Sequence, residues 1–236
     1  MVREFAIVIP IYNEGQFITR TIEQIFKDVR GTYKVYFVHD MDEDTSIPYI
    51  VKFNDHRLVL LKNKYGGGPL GAIRTGLEET KEGYVVVFMA DLSEEPGYIN
   101  NMMQKAEEGY DVVCGSRYMR GGEQIGSPLL KSFLSRMAGL SLKLLSGIPT
   151  YDVSNSFKLY SRKVLDSMGI ESNGGFELGL EILVKAYLKG FRITEVPVVW
   201  KKREHGASRF NFAKWLPKYL RWYFYLMLSK IFRINN

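Results

Sequence analysis

The chain has 236 residues, of which 46% are hydrophobic, so it can bury a sizeable core and global disorder is excluded. Its length favours one domain with at most an appendage. The formal charge of +6 is concentrated at one end, because residues 201–236 carry nine Lys/Arg and one acid, whereas residues 1–200 are close to neutral. A basic terminal segment favours a polyanionic partner, such as lipid headgroups, a phosphorylated substrate or nucleic acid.

The single cysteine, Cys114, excludes an internal disulfide framework and a cysteine zinc site. It favours a reducing, cytoplasmic setting. The opening residues do not predict a signal peptide, because their apolar run is short and is interrupted by proline and charge. No run of about 18 or more uncharged apolar residues occurs, so no transmembrane helix is predicted.

Short apolar runs alternate with segments of helical periodicity in the first half of the chain. The predicted strands cover residues 5–9, 33–38, 58–61, 85–89 and 111–114. The predicted helices between them cover residues 17–26, 70–79 and 96–107. This alternation is typical of βαβ units, and it predicts an α/β fold with a Rossmann-like, mostly parallel sheet flanked by helices.

The regular alternation of predicted strands and helices ends after Gly115. The pattern predicts a long amphipathic helix over 127–145, a strand over 154–160, a helix over 176–188 and a strand over 191–200. Within the last of these segments, Pro197 indicates an edge strand, because proline cannot donate to a neighbouring strand.

The final segment, 211–233, is rich in aromatic residues and carries Lys214, Lys218 and Arg221 at helical spacing. Two interpretations fit this pattern. The helix either lies in a membrane interface or packs on the domain with its lysines in water. The membrane interpretation is favoured, because Trp and Tyr are enriched at membrane interfaces.

Acidic residues follow three of the predicted strands: Glu14, then Asp40 with Asp42 and Asp44, and then Asp91. The carboxyl ends of neighbouring parallel strands share one edge of the sheet, where ligands bind. Carboxylates at that edge can hold a divalent cation against a nucleotide diphosphate. The alternative is that each acid only stabilises a turn or a helix start, as Ser93 and Pro96 after Asp91 would also do.

Basic residues that could bind phosphate lie in the second half: Arg117, Arg136, Lys202, Arg203 and Arg209. The planar guanidinium of arginine suits two phosphate oxygens at once. For Arg136 and Lys202 a solvated surface charge is the favoured interpretation from the residues alone.

Gly66 to Gly71 fits the G-x-G-x-x-G pattern of dinucleotide-binding enzymes, and Asp91 lies 20 residues after it. This alternative would predict an NAD-dependent oxidoreductase. It is disfavoured, because two strands with acidic ends precede the motif, whereas the fingerprint normally occupies the first turn after a strand. Pro69 within the motif and the basic aromatic tail also disfavour it.

Several segments resemble the family 2 glycosyltransferases of the GT-A fold, and most closely the branch of polyprenyl-phosphate (dolichyl-phosphate) mannose and glucose synthases. The matching segments are Val8 to Glu14 (VIPIYNE), Asp40, Gly67 to Gly76, Ala90-Asp91-Leu92, Gly115 to Tyr118 (GSRY), Asp152 to Tyr160, Phe176-Glu177 and Arg203 to Phe210 (REHGASRF). No single motif identifies the family, but the order and spacing of the motifs together make the resemblance specific.

The resemblance implies roles for individual residues. Asp91 is expected to bind a divalent cation, Mg²⁺ or Mn²⁺, and to act catalytically with Arg117 and Arg203. The nucleotide-sugar site implied by the resemblance comprises Pro10, Tyr12, Glu14, Asp40, Gly67, Asp91 and Arg117. The implied site for the acceptor and its phosphate comprises Arg136, Arg203, Ser208 and Arg209.

The chain departs from the family pattern at three places. Met89 replaces the first acid of the metal motif, Ser93 stands where mannose synthases often carry glutamine, and Asn155-Ser156 replaces Ser-Gly. A second metal ligand could come from Glu94, from Glu95 or from the donor diphosphate itself.

The resemblance implies inverting transfer of a hexose from a nucleotide-diphosphate sugar, of the GDP-mannose or UDP-glucose class, to a polyprenyl phosphate. It implies a GT-A domain over 1–210 and a membrane-interface tail over 211–236. The expected location is peripheral, on the cytoplasmic face of the membrane. The main alternative is a family 2 enzyme with a soluble or glycan acceptor. Nucleic acid is not an expected partner, because acids at the strand ends would repel its phosphates.

Overall fold

The computed structural model describes residues 4–202 and 212–231, with side chains for 4–202 and 216–230. A central sheet has the strand order β3-β2-β1-β4-β7-β5-β8. Its strands are β1 (Phe5–Ile11), β2 (Tyr33–His39), β3 (Leu58–Lys62), β4 (Tyr84–Val87), β5 (Val112–Ser116), β7 (Lys158–Ser161) and β8 (Ile193–Pro197). Only β7 is antiparallel to its neighbours, so the predicted mostly parallel sheet is confirmed.

Helices flank the sheet, and a small second sheet accompanies it. The helices are α1 (Phe17–Asp28), α2 (Ile47–Val51), α3 (Pro69–Glu79), α4 (Tyr98–Glu107), α5 (Leu129–Ser146), α6 (Arg162–Asp166), α7 (Leu178–Leu188) and α8 (Phe212–Ile231). The second sheet is a parallel pair, β6 (Glu123–Ile125) and β9 (Val199–Lys201).

Each face of the central sheet buries its own core. On one face Phe5, Ile7 and Ile9 of β1 pack with apolar residues of α1 and α4. On the other face Ala6 and Val8 of the same strand pack with residues of α3, α7 and α8. Burial on both faces explains why the strands appear in the sequence as continuous apolar runs rather than as alternating ones.

The structure interrupts the strand predicted over 191–200. Strand β8 lies at the end of the central sheet, as Pro197 predicted for an edge strand. At Val198 the chain passes to the second sheet: the Val198 N–H still donates to the Ser116 carbonyl of β5, whereas the Val198 carbonyl accepts from the Glu123 N–H of β6. It then continues as β9 in the second sheet.

The strand predicted over 154–160 begins only at Lys158, because side chains hold the preceding residues in turns. The Asn155 N–H donates to Asp152 Oδ1 at 3.1 Å, and the Phe157 N–H donates to Asn155 Oδ1 at 3.2 Å. Such local bonds compete with a strand ladder. Since β7 runs antiparallel, the loop 152–157 before it reaches the edge where the parallel strands end.

Candidate active site

The loops that follow β1 and β2 are locked together by Asp44, which is 1% exposed. Its Oδ2 accepts the Asn13 N–H at 2.9 Å and its Oδ1 accepts the Ser46 N–H at 2.8 Å. In return, Asn13 Oδ1 accepts the Thr45 N–H at 3.1 Å and Ser46 Oγ accepts the Glu14 N–H at 3.0 Å. Asp44 therefore has a structural role at the sheet edge, where the sequence pattern had indicated a ligand-binding acid.

The predicted nucleotide residues of the first motif lie along and after β1. Pro10 is buried within the strand, Glu14 is half-buried in the loop, and the Tyr12 ring is exposed. Between them Asn13 has a left-handed backbone, with φ of 56°, a conformation that asparagine tolerates better than most residues. The loop therefore presents Tyr12 at the carboxyl edge of the sheet. The nucleotide role of these three residues stays a prediction.

Asp40 and Gly67, both predicted for the nucleotide site, are brought together by the loop between β3 and α3. Asp40 Oδ2 accepts the Gly68 N–H at 2.7 Å, and its Oδ1 accepts from Asn63 Nδ2 at 2.7 Å. A Cβ on Gly67 would lie 3.4 Å from Asp40 Oδ2. Asn63, which sequence reasoning missed, also donates to the Gly66 carbonyl and accepts from the Tyr65 N–H. Asp40 therefore shapes the glycine-rich loop.

The loop after β4 carries Asp91 at the centre of the edge. The Ser93 N–H donates to Asp91 Oδ1 at 3.1 Å, and the Ser93 carbonyl accepts the Lys201 N–H at 2.7 Å. Leu92 between them has φ of 52°, an unfavourable backbone conformation for a bulky residue. Backbone strain of this kind costs about 1–3 kcal/mol and is concentrated at functional sites. The loop thus holds the Asp91 carboxylate in a fixed direction.

Arg117 and Asp152 form a buried pair beside this loop. Arg117 Nε donates to Asp152 Oδ2 at 2.6 Å, and a terminal nitrogen of the same guanidinium donates to Oδ1 at 2.8 Å. The Arg117 N–H also donates to Asp152 Oδ2 at 3.1 Å. Burial alone would raise the pKa of Asp152, but Arg117 holds the pKa of that carboxyl below its usual value. Arg117 is therefore already engaged by a carboxylate, and its phosphate-binding role stays a prediction.

Glu94 is a second buried carboxyl of the site, only 3% exposed. Burial raises the pKa of Glu94 to about 7, Arg117 counteracts this, and Asp91 raises the pKa further. The Asn155 side chain also interacts with it. Glu94 therefore lies within electrostatic range of Asp91 and of the Arg117–Asp152 pair.

Helix α5 borders the site through contacts that the sequence did not reveal. Ser135 on α5 shares a hydrogen bond of 2.6 Å with Ser154, which also accepts from Arg117 at 2.9 Å. Gly139 makes this approach possible, because a Cβ there would lie 1.9 Å from the Tyr151 carbonyl oxygen. A larger residue at this position would displace the helix from the site.

Two cations of α5 accompany Arg117 at the mouth. Lys131 is half-buried, and burial together with the nearby positive charge of Arg117 lowers its pKa. Arg136 is exposed and lies near Tyr118, where burial raises the phenol pKa, while Arg117 and, more weakly, Arg136 lower it. The predicted acceptor residue Arg136 and the predicted donor residue Arg117 thus both lie near Tyr118. Lys131 is a basic residue that the motifs missed. The other predicted acceptor residues, Arg203, Ser208 and Arg209, lie outside the described residues.

Helix α8 packs on the domain through one face. Trp222 and Leu226 are buried in the second core, and Trp222 Nε1 donates to Ser172 Oγ at 3.1 Å. Two of the three basic residues predicted to share a face bind the same loop: Lys218 donates to Asn173 and Arg221 to Glu171. The third, Lys214, has a side chain outside the described set.

The half-buried Tyr219 of α8 lies within electrostatic range of the Arg117–Asp152 pair. Burial raises the pKa of its phenol, and the charges of Glu177, Arg117 and Asp152 act on it as well. Helix α8 therefore forms part of the wall of the candidate site.

A large apolar surface remains uncovered on α5 and α8. Among the described residues, sixteen large hydrophobic side chains are exposed, and twelve of them belong to these two helices. On α5 they are Leu129, Leu130, Phe133, Leu134, Met137, Leu144 and Leu145, and on α8 they are Leu216, Leu220, Phe224, Tyr225 and Leu228. The two helices contain seven Lys/Arg and no acid, and the Tyr223 hydroxyl of α8 joins them by donating to Ser141 of α5. We call this surface the α5–α8 face.

In the described part of the chain no helix is long and apolar enough to span a bilayer. The same described residues contain no group of three or more carboxylate, imidazole or thiol side chains placed to hold a metal ion. Asp91 nevertheless fits a Mg²⁺ or Mn²⁺ ion that arrives with a diphosphate, because such ions use one or two carboxylates together with substrate phosphates and water.

The chain is similar in sequence to known glycosyltransferases. The profile of Glycosyl transferase family 2 matches residues 6–169. The chain is 30% identical over 222 residues to an uncharacterized glycosyltransferase, YkcC, of Bacillus subtilis (strain 168), covering 90% of this chain and 65% of that protein. It is 29% identical over 215 residues to the undecaprenyl-phosphate 4-deoxy-4-formamido-L-arabinose transferase of Pseudomonas fluorescens (strain Pf0-1), covering 87% of this chain and 60% of that protein. The chain thus spans less than two thirds of the length of either relative.

Solved structures share the fold. Glucosyl-3-phosphoglycerate synthase from Mycobacterium tuberculosis, in complex with Mn²⁺, UDP and glucosyl-3-phosphoglycerate, superposes with a TM-score of 0.69 at 18% identity. The match covers 97% of this chain and 80% of that one. The same enzyme with Mg²⁺ and UDP superposes with a TM-score of 0.67, over 97% of this chain and 79% of that one. The predicted GT-A fold is confirmed, and the family profile rules out the dinucleotide-binding alternative for Gly66 to Gly71.

Proposed function

The chain belongs to the family 2 glycosyltransferases, and from that premise we propose that it transfers a hexose from a nucleotide-diphosphate sugar to a polyprenyl phosphate at a membrane surface. The donor is of the UDP-glucose or GDP-mannose class. The observation that carries the proposal is the α5–α8 face, which adjoins the cations at the mouth of the site. A lipid acceptor requires this combination, with apolar surface for its chain and positive charge for its phosphate.

The charge of the α5–α8 face supports a membrane rather than a protein partner. Its apolar side chains are accompanied by lysine and arginine without any acid on either helix. An apolar face with basic flanks binds an anionic bilayer through buried area and through attraction to the headgroups. The expected place of action is therefore the cytoplasmic membrane surface, with the residues of 211–236 forming part of the docking surface.

The acceptor can react without a strong general base. A phosphate monoester is already an anion at neutral pH, since its second pKa lies near 6. The protein must then align two anionic substrates and stabilise the nucleoside diphosphate as it leaves. A single displacement of this kind inverts the anomeric centre.

Named residues can divide these tasks. Asp91 would hold a divalent cation that neutralises charge on the departing diphosphate. Lys131 and Arg136 are proposed to bind the acceptor phosphate, and the charge of Arg117 acts on Lys131, on Tyr118 beside Arg136 and on Glu94 of the Asp91 loop. Asp40 and Gly67 would form the wall against the nucleotide. Arg203, Ser208 and Arg209 are proposed to complete the phosphate site.

Substitution of Asp91 tests this proposal. Asp91→Ala is expected to lower transfer of labelled hexose to polyprenyl phosphate by about 100-fold or more, a loss of about 3 kcal/mol of transition-state stabilisation. Asp42→Ala is the matched control, because Asp42 follows β2, is exposed and pairs with Lys62. Circular dichroism is used to check that both variants are folded. Equal turnover of Asp91→Ala and Asp42→Ala would contradict the assignment of Asp91.

A soluble phosphorylated acceptor is the second candidate. It is favoured by the solved neighbours, which are complexes with phosphoglyceric acid or with glucosyl-3-phosphoglycerate. A soluble acceptor leaves the α5–α8 face unexplained. The two candidates differ in whether labelled product enters the lipid phase.

A further inference from the structure

Among the described residues, Lys158 of β7 is the only buried lysine, with 0% of its surface exposed. In the central sheet it lies between Val87 of β4 and Cys114 of β5, which both belong to the second core. Burying an ammonium group among apolar residues is costly unless the group is hydrogen-bonded and lies near an anion. The polar contacts of this group must therefore account for its place in the core.

The Lys158 ammonium group holds the loop 152–157 from the core side. Its Nζ donates to the Val153 carbonyl at 3.3 Å and also to the Asn155 carbonyl. Helix α7 covers these bonds, because a Cβ on Gly179 would lie 3.8 Å from Lys158 Nζ and 3.9 Å from the Asn155 carbonyl oxygen. Lys158 therefore binds the main chain of the loop from a place that no substrate can reach.

The same loop holds Arg117 through its side chains. Ser154 lies between the two residues whose carbonyls Lys158 binds, and its Oγ accepts from a terminal nitrogen of Arg117 at 2.9 Å. Asp152, at the start of the loop, accepts from the backbone N–H and from two guanidinium nitrogens of Arg117. The loop thus connects Lys158 in the core to Arg117 in the candidate active site.

Charge joins the same groups. Cys114 supplies no counter-ion for Lys158 near neutral pH, because burial raises the pKa of the Cys114 thiol to about 12. Asp152 does supply one: burial raises the pKa of its carboxyl, but Arg117 and the positive charge of Lys158 together hold that pKa below its usual value. Asp152 therefore has one cation bonded to it directly and a second cation nearby in the core.

We propose that Lys158 is a positioning residue for glycosyl transfer, which fixes the direction of the Arg117 guanidinium through the loop 152–157 without touching either substrate. A guanidinium holds phosphate oxygens only in a narrow range of directions, because its donors lie in one plane. The inference rests on the phosphate-binding role proposed for Arg117, and it deepens that role by naming what holds the side chain in place.

Two substitutions remove the lysine, and a third is the matched control. Lys158→Met keeps an unbranched side chain but removes the donor and the charge, whereas Lys158→Gln keeps an amide donor and removes only the charge. Leu159→Ala is the control, because Leu159 is buried on the same strand but in the first core, on the opposite face of the sheet. The cavity left there lowers stability without removing a contact of Lys158. Circular dichroism is used to check folding.

Initial rates of hexose transfer are the first readout, measured in the wild-type and in the Arg117→Lys background. In the wild-type background Lys158→Met is expected to lower kcat/KM by about 100-fold, the effect of misplacing a reacting group by about 1 Å. Lys158→Gln is expected to lower it by less. In Arg117→Lys the planar guanidinium is already lost, so Lys158→Met is expected to lower kcat/KM by less than about 5-fold. Leu159→Ala should lower the urea midpoint and leave kcat/KM unchanged.

A second readout needs no substrate. The Arg117 Nε–H, which donates to Asp152 at 2.6 Å, gives a resonance in nitrogen–proton correlation spectra that is identified by its absence in Arg117→Lys. Lys158→Met and Lys158→Gln are expected to shift this resonance and to speed its exchange with water. Leu159→Ala is expected to leave it unchanged.

Equal losses of kcat/KM on Lys158→Met in the two backgrounds, or an unchanged Arg117 resonance, would overturn the inference and leave the proposed function intact. If Lys158→Met does not fold, the same criteria apply to Lys158→Gln. If neither folds although Leu159→Ala does, Lys158 serves only the stability of the core, and the inference is likewise overturned. Wild-type protein that transfers no hexose to polyprenyl phosphate would instead reject the proposed function, and the resonance alone then decides whether Lys158 positions Arg117.

Discussion

Replacing Asp152 by asparagine tests the buried pair at the centre of the site. Asp152 is fully buried and accepts three hydrogen bonds from Arg117, at 2.6, 2.8 and 3.1 Å, and one from the Asn155 N–H. Asparagine keeps the volume but removes the charge, so the Arg117 guanidinium is left buried without its counter-ion. Removing one partner of a buried ion pair costs about 3–5 kcal/mol. Asp152→Asn is therefore expected to lower the free energy of unfolding by that amount.

Urea denaturation followed by circular dichroism measures this cost. Asp42→Asn is the control, because Asp42 pairs with Lys62 in water, and we expect no measurable change there. The folded pKa of Asp152 lies below its usual value, so its contribution is complete above pH ~4 and is lost as pH falls through the folded pKa. The stability difference between wild type and Asp152→Asn should shrink on acidification. Equal stabilities of Asp152→Asn and Asp42→Asn would refute the argument.

Three further outcomes are expected. The free energy of unfolding should fall as pH rises from 4.5 to 7, because the pKa of Glu94 is raised to about 7 in the folded protein. The free energy of unfolding of Glu94→Gln, measured relative to that of wild type, should therefore increase by about 3 kcal/mol between pH 4 and pH 8. A difference between the two proteins that does not change with pH would contradict this. Gly76→Ala should lower the free energy of unfolding by about 1–3 kcal/mol in urea titrations, because its Cβ would lie 2.2 Å from Val8 Cγ1. Alanine normally favours a helix over glycine, so an increase in stability would contradict this packing argument. Phe133→Ser should weaken sedimentation of the protein with anionic liposomes. Val51→Ser is the control, because Val51 lies on α2 and its side chain is also 60% exposed, and it should leave sedimentation unchanged. Equal effects of the two substitutions would argue against docking by the α5–α8 face.

The order of strands and helices was accessible from the sequence, because residues buried on both faces of a parallel sheet form continuous apolar runs. The grouping of acids at one edge was also predictable, since it depends only on strand direction. What each acid does there was not predictable. Asp44 and Asp40 bind backbone N–H groups of neighbouring loops, and such bonds depend on loop geometry rather than on a periodic pattern.

The pairing of Arg117 with Asp152 could not be derived from spacing, because 35 residues separate the two. It depends on the insertion of antiparallel β7 between β4 and β5, which brings loop 152–157 to the edge where β5 ends. The sequence signal of a strand over 154–160 gave neither its direction nor its place in the sheet. The family resemblance matched Gly115 to Tyr118 and Asp152 to Tyr160 as separate segments and did not pair Arg117 with Asp152.

The final helix shows a different limit of sequence reasoning. Aromatic and aliphatic residues of α8 occur on all sides of the helix, so their periodicity alone could not decide between packing on the domain and contact with a membrane. The structure contains a buried side with Trp222 and Leu226 and an exposed apolar side with Phe224 and Leu228. Deleting 211–236 would therefore damage the core, and single substitutions on the exposed side are the better test of membrane docking.

The most direct test of the proposed activity is the fate of the sugar. Purified protein is supplied with labelled UDP-glucose or GDP-mannose, Mn²⁺ or Mg²⁺, and either polyprenyl phosphate in anionic vesicles or soluble 3-phosphoglycerate. Product is measured after partition between organic and aqueous phases. We expect label in the organic phase, as a glycosyl phospholipid of inverted anomeric configuration. Label transferred only to the soluble acceptor would contradict the proposal that this glycosyltransferase acts on a polyprenyl phosphate.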